Sequence, residues 1–286
     1  MASISPGLAS RSPGLASRRP GLASHRPEIS APSLESAVAI TTRRGERADK
    51  KGGDQQDWQR SIILMISPTS PKHHWVIGDV HGCAEALQTL EGRLPADDRL
   101  ILCGDVINRG PDIVAAMDLA WELVESGRAT WLRGNHEQAL LNDLRRGDWL
   151  AQRSLAGCDT YRQLGERRCR AWLQRLDGLP LAYWGEGWVA THAGFDPLSW
   201  QPHLSIRLAF WQAYDGRFGE VVVGHTPGPG IRRVGADGAI VVVDAGACYG
   251  GQLAAYCPET SQSLLVNGLP RVATAARRPQ LSSLRR

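Results

Sequence analysis

No apolar run in this chain approaches the roughly 20 residues that cross a bilayer as a helix, so a membrane helix is not expected. No compact apolar segment follows the N-terminus, which argues against a secretory signal. Paired cysteines are missing too. Cys83, Cys103, Cys158, Cys169, Cys248 and Cys257 form no CxxC pair and no dense framework, so free thiols in a reducing cytoplasm are expected. The turn at 226–230 (TPGPG) lacks the lysine of a nucleotide-binding P-loop.

What is present describes a soluble globular chain of one sizeable domain with tails: 42% of its 286 residues are hydrophobic and 22% charged. The net charge of +4 sits in the tails. Residues 1–64 hold ten basic against six acidic residues, and residues 267–286 hold five arginines and no acid. The stretch 65–266 is acidic, with 18 basic and 23 acidic residues, so specific nucleic-acid binding by the folded part is not expected. A monomer is the expected oligomeric state.

Three near-copies of one heptad (SPGLASR, SPGLASR, RPGLASH) occupy the first 30 residues. Each contains Pro-Gly, which breaks helix and strand alike, so a coiled coil is excluded. Residues 1–70 read as a disordered basic extension, 71–266 as the catalytic domain, and 267–286 as a frayed basic tail. Met65, just ahead of the first strand-like run, is a candidate initiation site.

From Trp75 the pattern becomes regular. WVIGD, RLILCGD and ATWLRGNH are short apolar runs that end in polar residues. They alternate with helical spacing over 83–93, over 111–126 with Pro111 at the first position, and over EQALLNDLRR. Strand, helix, strand, helix, strand, helix implies a parallel sheet with right-handed crossovers. Residues 148–178 read as mainly helical. GWVATHAG, EVVVGHT, AIVVVDAG and GQLAAYC then predict a second sheet packed against the first.

Polar motifs fall at these strand ends, where open α/β sheets bind ligands. They are Gly78-Asp79-Val80-His81-Gly82, Gly104-Asp105, Gly134-Asn135-His136-Glu137, Thr191-His192-Ala193-Gly194 and Gly224-His225-Thr226. Hydrolysis of a phosphoester needs a hydroxide at neutral pH and neutralisation of the charge on the phosphoryl oxygens. Two divalent ions roughly 3.5–4 Å apart supply both. Such a pair needs a bridging carboxylate with Asp, His and Asn on either side, a donor set that suits Mn²⁺, Fe or Zn²⁺.

In this order the motifs GDVHG, GDVINRG, RGNHE, HAG and GHT resemble those of the metallophosphoesterases of the phosphoprotein phosphatase family. The resemblance covers about residues 74–257 and is nearest to the small bacterial and phage members and the related diadenosine tetraphosphate hydrolases. It implies an α/β, four-layer-type fold: two packed mixed β-sheets flanked by helices around a βαβαβ metal-binding core. It also implies two divalent metal ions, Mn²⁺ first among them. Asp79, His81 and His225 would hold the first ion, Asp105 would bridge, and Asn135 and His192 would complete the second. His136 would be the general acid and Arg109 would grip phosphate. Arg133 would bind phosphate or brace the site through an ion pair, and Tyr249 matches an aromatic that overhangs the metals in some members.

Two departures stand out. Asn108 occupies a position where many relatives carry an aspartate paired with the acid histidine, and an amide cannot favour an imidazolium as a carboxylate does. A second phosphate-binding arginine is missing from Trp211-Gln212-Ala213, with only Arg207 and Arg217 nearby. Glu137 reads as a brace rather than a base. Cys83, Cys103 and Cys248 read as small packing groups, and His73, His74 and His203 fall outside every motif.

The implied activity is phosphoester hydrolysis, with phosphoproteins or small phosphoesters as substrates. The short core, the Glu of GNHE and the Thr of GHT lean towards a serine/threonine protein phosphatase. The alternatives are a dinucleoside polyphosphate hydrolase and a scaffold of the same fold without activity.

Overall fold

The structure, a computed structural model, describes residues 71–269. The N-terminal repeats, Met65 and the tail beyond Leu269 lie outside the described residues.

The first half follows the expected alternation. Strand β1 (His74–Ile77) leads to helix α1 (Ala84–Glu91), β2 (Arg99–Leu102) to α2 (Ile113–Glu125), and β3 (Ala129–Trp131) to α3 (Asn135–Arg146). The second crossover helix starts two residues later than the sequence suggests. Pro111 lies outside it, and the Asp112 carboxylate accepts the Ala115 N–H as its cap. Two more helices follow, α4 (Trp149–Gly157) and α5 (Asp159–Asp177), the second broken locally by Gly165 at φ 73°.

The second half is mostly strand. It contains β4 (Ala182–Gly185), β5 (Trp188–Thr191), the short helix α6 (Leu208–Ala213), β6 (Glu220–Val223), β7 (Arg232–Val234), β8 (Ile240–Val242), β9 (Gln252–Cys257) and β10 (Gln262–Asn267). Two five-stranded sheets result, in the orders β10-β9-β1-β2-β3 and β4-β5-β6-β8-β7. Strands β1, β2 and β3 run parallel, as do β5, β6 and β8, while β9, β10, β4 and β7 pair antiparallel at the margins. Both sheets are therefore mixed.

GQLAAYC is placed differently from its sequence expectation. As β9 it joins the first sheet beside β1, with Val76 opposite Tyr256 and Ile77 opposite Ala255. Its side chains show why. Leu253, Ala255 and Cys257 pack with the helices, while Tyr256 points into the seam between the sheets, so both faces are buried.

Strand alternation divides the core into layers. Trp75, Ile77, Leu100 and Leu102 face α1 to α5. Val76, Ile101 and Cys103 face the second sheet, where they meet Trp188, Ala190, Val222, Val241 and Val243. The far side of the second sheet presents Val189, Val221, Val223, Ile240 and Val242 to Phe195, Phe210 and Tyr214. Helices, sheet, sheet and an aromatic cover are the four layers the resemblance implied.

Ile101 is fully buried in the seam between the sheets. Truncating Ile101→Ala is expected to cost about 3 kcal/mol of unfolding free energy, measured by denaturant titration of the metal-loaded protein. A loss below about 1 kcal/mol would mean that the seam is not close-packed there.

Candidate metal centre

The carboxyl ends of both parallel strand triplets, β1–β2–β3 and β5–β6–β8, converge on one site. Asp79 follows β1, Asp105 follows β2, and Asn135 and His136 open α3 beyond β3. His192 follows β5, His225 follows β6 and Asp244 follows β8. The site thus belongs to both sheets, joined where the His192 ring bonds the Cys103 carbonyl at 2.8 Å.

The loops turn sharply to bring these groups together. His81, Asp105, Asn108, Arg109 and His225 all have φ between 46° and 69° although none is glycine. Left-handed backbone at such residues costs on the order of 1 kcal/mol each and persists only where the surroundings enforce it. Glycine is required where chains touch. A Cβ at Gly134 would strike the Asp105 carboxylate, and one at Gly224 would strike that of Asp79.

Asp105 is the centre of the cluster. Its Oδ2 lies 3.8 Å from His81 Nε2, 3.8 Å from His136 Nε2 and 3.5 Å from His192 Nε2. Its Oδ1 accepts the His136 N–H at 2.9 Å. Two sets of side chains close enough to share an ion emerge, His81–Asp105–His136 and Asp105–His192–His225. Asp105 is common to both, as a bridging ligand must be. His225 groups with His192, their rings 5.0 Å apart, which corrects its expected place on the Asp79 and His81 side. Asp79 stays close to His81, Oδ2 to Nε2 3.8 Å, and accepts the His225 N–H through Oδ1.

The donor atoms fit a pair of cations. His81 Nδ1 and His192 Nδ1 face carbonyl oxygens of Ile107 and Cys103 at 2.8 Å, so each ring proton sits on Nδ1 and each Nε2 lone pair faces inward. His192 Nε2 and Asn135 Oδ1 then meet as two acceptors 2.9 Å apart, an arrangement that a cation relieves. His225 Nε2 is buried without a hydrogen-bond partner.

Electrostatics agree. Burial, with the charges of Asp244 and Asp105, holds the Asp79 carboxyl well above its ordinary range. Burial pushes Asp105 up to about 7, and burial with the Asp105 charge pushes Glu137 to about 8. Burial pushes His81 and His225 down to about 3 and His136 and His192 to about 4. Acids held neutral beside uncharged imidazoles are the expected state of a ligand set without its cations.

Glu137 braces the cluster. Fully buried, its carboxylate accepts backbone N–H bonds from Asp105, Val106 and Gly134 at 2.8–2.9 Å. Asn108 donates its amide N–H to His136 Nδ1 at 2.7 Å. Arg109 Nη2 lies 3.3 Å from His136 Nε2, and its guanidinium lies 5.4 Å from the centre of the Tyr249 ring, which is 59% exposed.

Arg133 is the exception among the expected site residues. Its guanidinium bonds the Gln138 side chain and the Asp177 carbonyl at the end of α5, 3.8 Å from the Asp177 carboxylate. It therefore braces α3 against α5, which corrects its expected place on the phosphate. Three groups absent from the sequence-level set belong here. Asp244, buried beside Asp79, ends β8 in the same strand-then-acid pattern as Asp79 and Asp105, and that pattern was the signal. Arg207 bonds the Thr226 hydroxyl at 3.2 Å and the His225 carbonyl at 3.4 Å, so a second arginine does reach the site, four residues ahead of Trp211. Arg217 does not, being paired with Asp215 and stacked on Trp200. Thr160, at the start of α5, bonds Asn108, and no local pattern marks it.

Comparison with known proteins places this geometry. The family model for calcineurin-like phosphoesterases matches residues 73–251. The chain is 38% identical over 146 residues to the symmetrical bis(5'-nucleosyl)-tetraphosphatase of Ralstonia nicotianae, covering 51% of this chain and 49% of that protein. It is 28% identical over 225 residues to serine/threonine-protein phosphatase 1 of Salmonella typhimurium, covering 67% of this chain and 94% of that one. The match thus spans about half the length of the tetraphosphatase. A crystal structure assigned provisionally as a diadenosine tetraphosphatase shares the fold, with a TM-score of 0.52 at 22% identity over 71% of this chain and 96% of that one. The leaning towards a protein phosphatase is thus less well supported than its alternative. Fold, convergent ligand set and family match agree that this chain belongs to the calcineurin-like phosphoesterases, metal-dependent phosphoric ester hydrolases.

Proposed function

We propose that this chain hydrolyses a dinucleoside polyphosphate of the diadenosine tetraphosphate type, using Asp79, His81, Asp105, Asn135, His192 and His225 to hold two divalent ions, Mn²⁺ first. The 38% identity to a symmetrical tetraphosphatase over the metal-motif half carries the reading. Cationic side chains around the site support it. Arg109 faces His136, Arg207 faces His225, and Arg232 bonds the Thr226 carbonyl beside Asp244. Three guanidiniums suit a chain of phosphates better than a single one, and Tyr249 offers an exposed ring beside Arg109 for a base to stack on.

A bound ion pair supplies a hydroxide at neutral pH and neutralises the phosphoryl oxygens. The protein's own groups do the rest. The Arg109 guanidinium lies 3.3 Å from His136 Nε2 at the edge of the cluster, where it can grip an anionic phosphoryl oxygen. Glu137 holds the Asp105 and Gly134 backbone so that the bridging carboxylate does not drift. Among the described residues no helix is long and apolar enough to cross a membrane. All six cysteines are free thiols, which fits a reducing cytoplasm.

The second reading, a serine/threonine protein phosphatase, rests on the alignment that covers 94% of the Salmonella enzyme. An assay with Mn²⁺ that compares diadenosine tetraphosphate, a phosphothreonine peptide and p-nitrophenyl phosphate separates the two. The dinucleotide is expected to win in kcat/KM by about two orders of magnitude. Equal use of all three, or preference for the peptide, overturns the first reading. Asp105→Asn is expected to lower kcat at least about a hundredfold, and a loss under about tenfold would reject a bridged ion pair.

Removing the metal has a pH signature. A carboxyl whose folded pKa is raised contributes stability that is full below the unfolded value of about 4 and is lost as pH rises through the folded value. For Asp105 and Glu137 the folded values are about 7 and about 8. The histidines, held low by burial, add stability as pH rises to about 7 and nothing above it. Chelated protein should therefore lose several degrees of thermal midpoint between about pH 7 and 8.5, while Mn²⁺-loaded protein should not. A flat profile after chelation would show that these acids are not strained by burial.

A further inference from the structure

The first sheet ends at β3, and all three residues of that strand line a cleft of about 510 Å³. Parallel strands bond through alternate residues. The Leu100 N–H donates to the Arg128 carbonyl at 3.0 Å and the Leu132 N–H to the Leu102 carbonyl at 2.9 Å. With Leu100 opposite Ala129 and Leu102 opposite Trp131, this register turns the backbone of Thr130 towards β2. The N–H and C=O groups of Ala129 and Trp131 therefore face outward. Among the described residues no strand pairs with that outer edge. The next outward amide, that of Arg133, donates to the Pro180 carbonyl at 2.8 Å, so the chain leaving α5 ends the open stretch there.

Side chains on the two faces of this edge differ in kind. On the helix face the cleft is lined by Trp121 and Val124 of α2, Trp131 of β3, and Leu179. Trp131 is 1% exposed, and its indole N–H has no hydrogen-bond partner among the described residues. Arg175 stacks on Trp121 here, 4.9 Å from the ring centre, and lies 3.7 Å from the Glu125 carboxylate. Thr130 points to the other face, where it meets Arg99. The Arg99 guanidinium bonds the Thr130 hydroxyl at 3.1 Å and the Gly127 carbonyl at 3.3 Å, both uncharged acceptors. Among the described residues no carboxylate answers its charge. A guanidinium in that state beside an open strand edge suits an incoming carboxylate.

We propose that β3 is a docking edge for a protein partner that adds an extended segment, acidic and aromatic by turns, as a sixth strand of the first sheet. Consecutive residues of a strand point to opposite faces. An aromatic residue of the partner enters the indole-lined side, and its Asp or Glu neighbour meets Arg99 on the other. The outward backbone groups of Ala129 and Trp131 pair with the incoming chain. What this edge selects is thus a pattern, a carboxylate residue directly beside an aromatic one. The metal ligands take no part in it, and the inference is independent of which phosphoester is hydrolysed.

The test uses the full chain, ¹⁵N-labelled and loaded with diamagnetic Mg²⁺, and the probe peptide acetyl-Thr-Trp-Glu-Val-Thr-amide. Titration should shift the Ala129 and Trp131 amides and the Trp131 indole N–H, with a Kd of about 100 µM. Hydrogen exchange at the Ala129 and Trp131 amides should slow at least about tenfold at saturation. Replacing the peptide's Glu by Lys should weaken binding at least about tenfold, and Arg99→Glu should reverse that order of preference. A peptide N-methylated at both Trp and Glu should not bind, because its backbone cannot pair. Equal binding of the Glu and Lys peptides, undiminished binding of the methylated one, shifts confined to other residues, or no binding at about 1 mM would each overturn the proposal. So would Ala129 and Trp131 amides protected before peptide is added, the mark of an edge already paired with a second copy. If Arg99→Glu fails to fold, the Lys and N-methylated peptides decide on the wild-type protein.

Discussion

Four carboxylates, Asp79, Asp105, Glu137 and Asp244, are buried at the junction of two sheets, and among the described residues none forms an ion pair with lysine or arginine. In a low-dielectric setting that concentration of acid is tolerable only if backbone dipoles and cations answer it. The backbone does so visibly. The N–H groups of His225, His136 and Gly246 donate to Asp79, Asp105 and Asp244, and four more donate to Glu137. To aim so many amides at so small a volume the loops must curl tightly. That is why left-handed residues gather here and why Gly134 and Gly224 tolerate no side chain. Strain in the loops and the concentration of acid in the centre are two sides of one arrangement, which divalent cations would complete.

Much of this centre was legible in the sequence because its parts are local. A strand followed at once by Gly-Asp or Gly-Asn-His places polar side chains at a sheet's carboxyl edge wherever the rest of the chain goes, so the βα rhythm located Asp79, His81, Asp105, Asn135, His192 and His225, while their roles as ligands were what the family resemblance implied. The two sheets followed for the same reason, while their layering was what the resemblance implied. What stayed hidden depends on tertiary contact. GQLAAYC reads as a strand from its composition, but only β1 and the seam decide which sheet it joins. The sharing of His225 with His192 rather than with His81 is likewise a matter of which loop overhangs which edge.

The same distinction separates the chemical core from its rim. Arg207 precedes a six-residue helix and reaches the site through Thr226, nineteen residues later. Arg133 lies beside a ligand motif in sequence, yet its guanidinium turns towards the end of α5. Proximity in sequence misled for one arginine and concealed the other, because long side chains choose partners by charge and packing at distances a motif does not specify.

The rim also bears on what leaves after phosphorus is attacked. In a site whose histidine is backed by a carboxylate, protonation of an alkoxide is available, and phosphomonoesters of serine and threonine become accessible. Here the group beside His136 is an amide held by the first turn of α5. Arg207 and Arg232 extend the cationic character outward, bonding the His225 and Thr226 carbonyls. The ligand cluster at the centre and the charge at the rim are set by different residues on different elements, and it is the rim's guanidiniums that the proposed polyphosphate reading draws on.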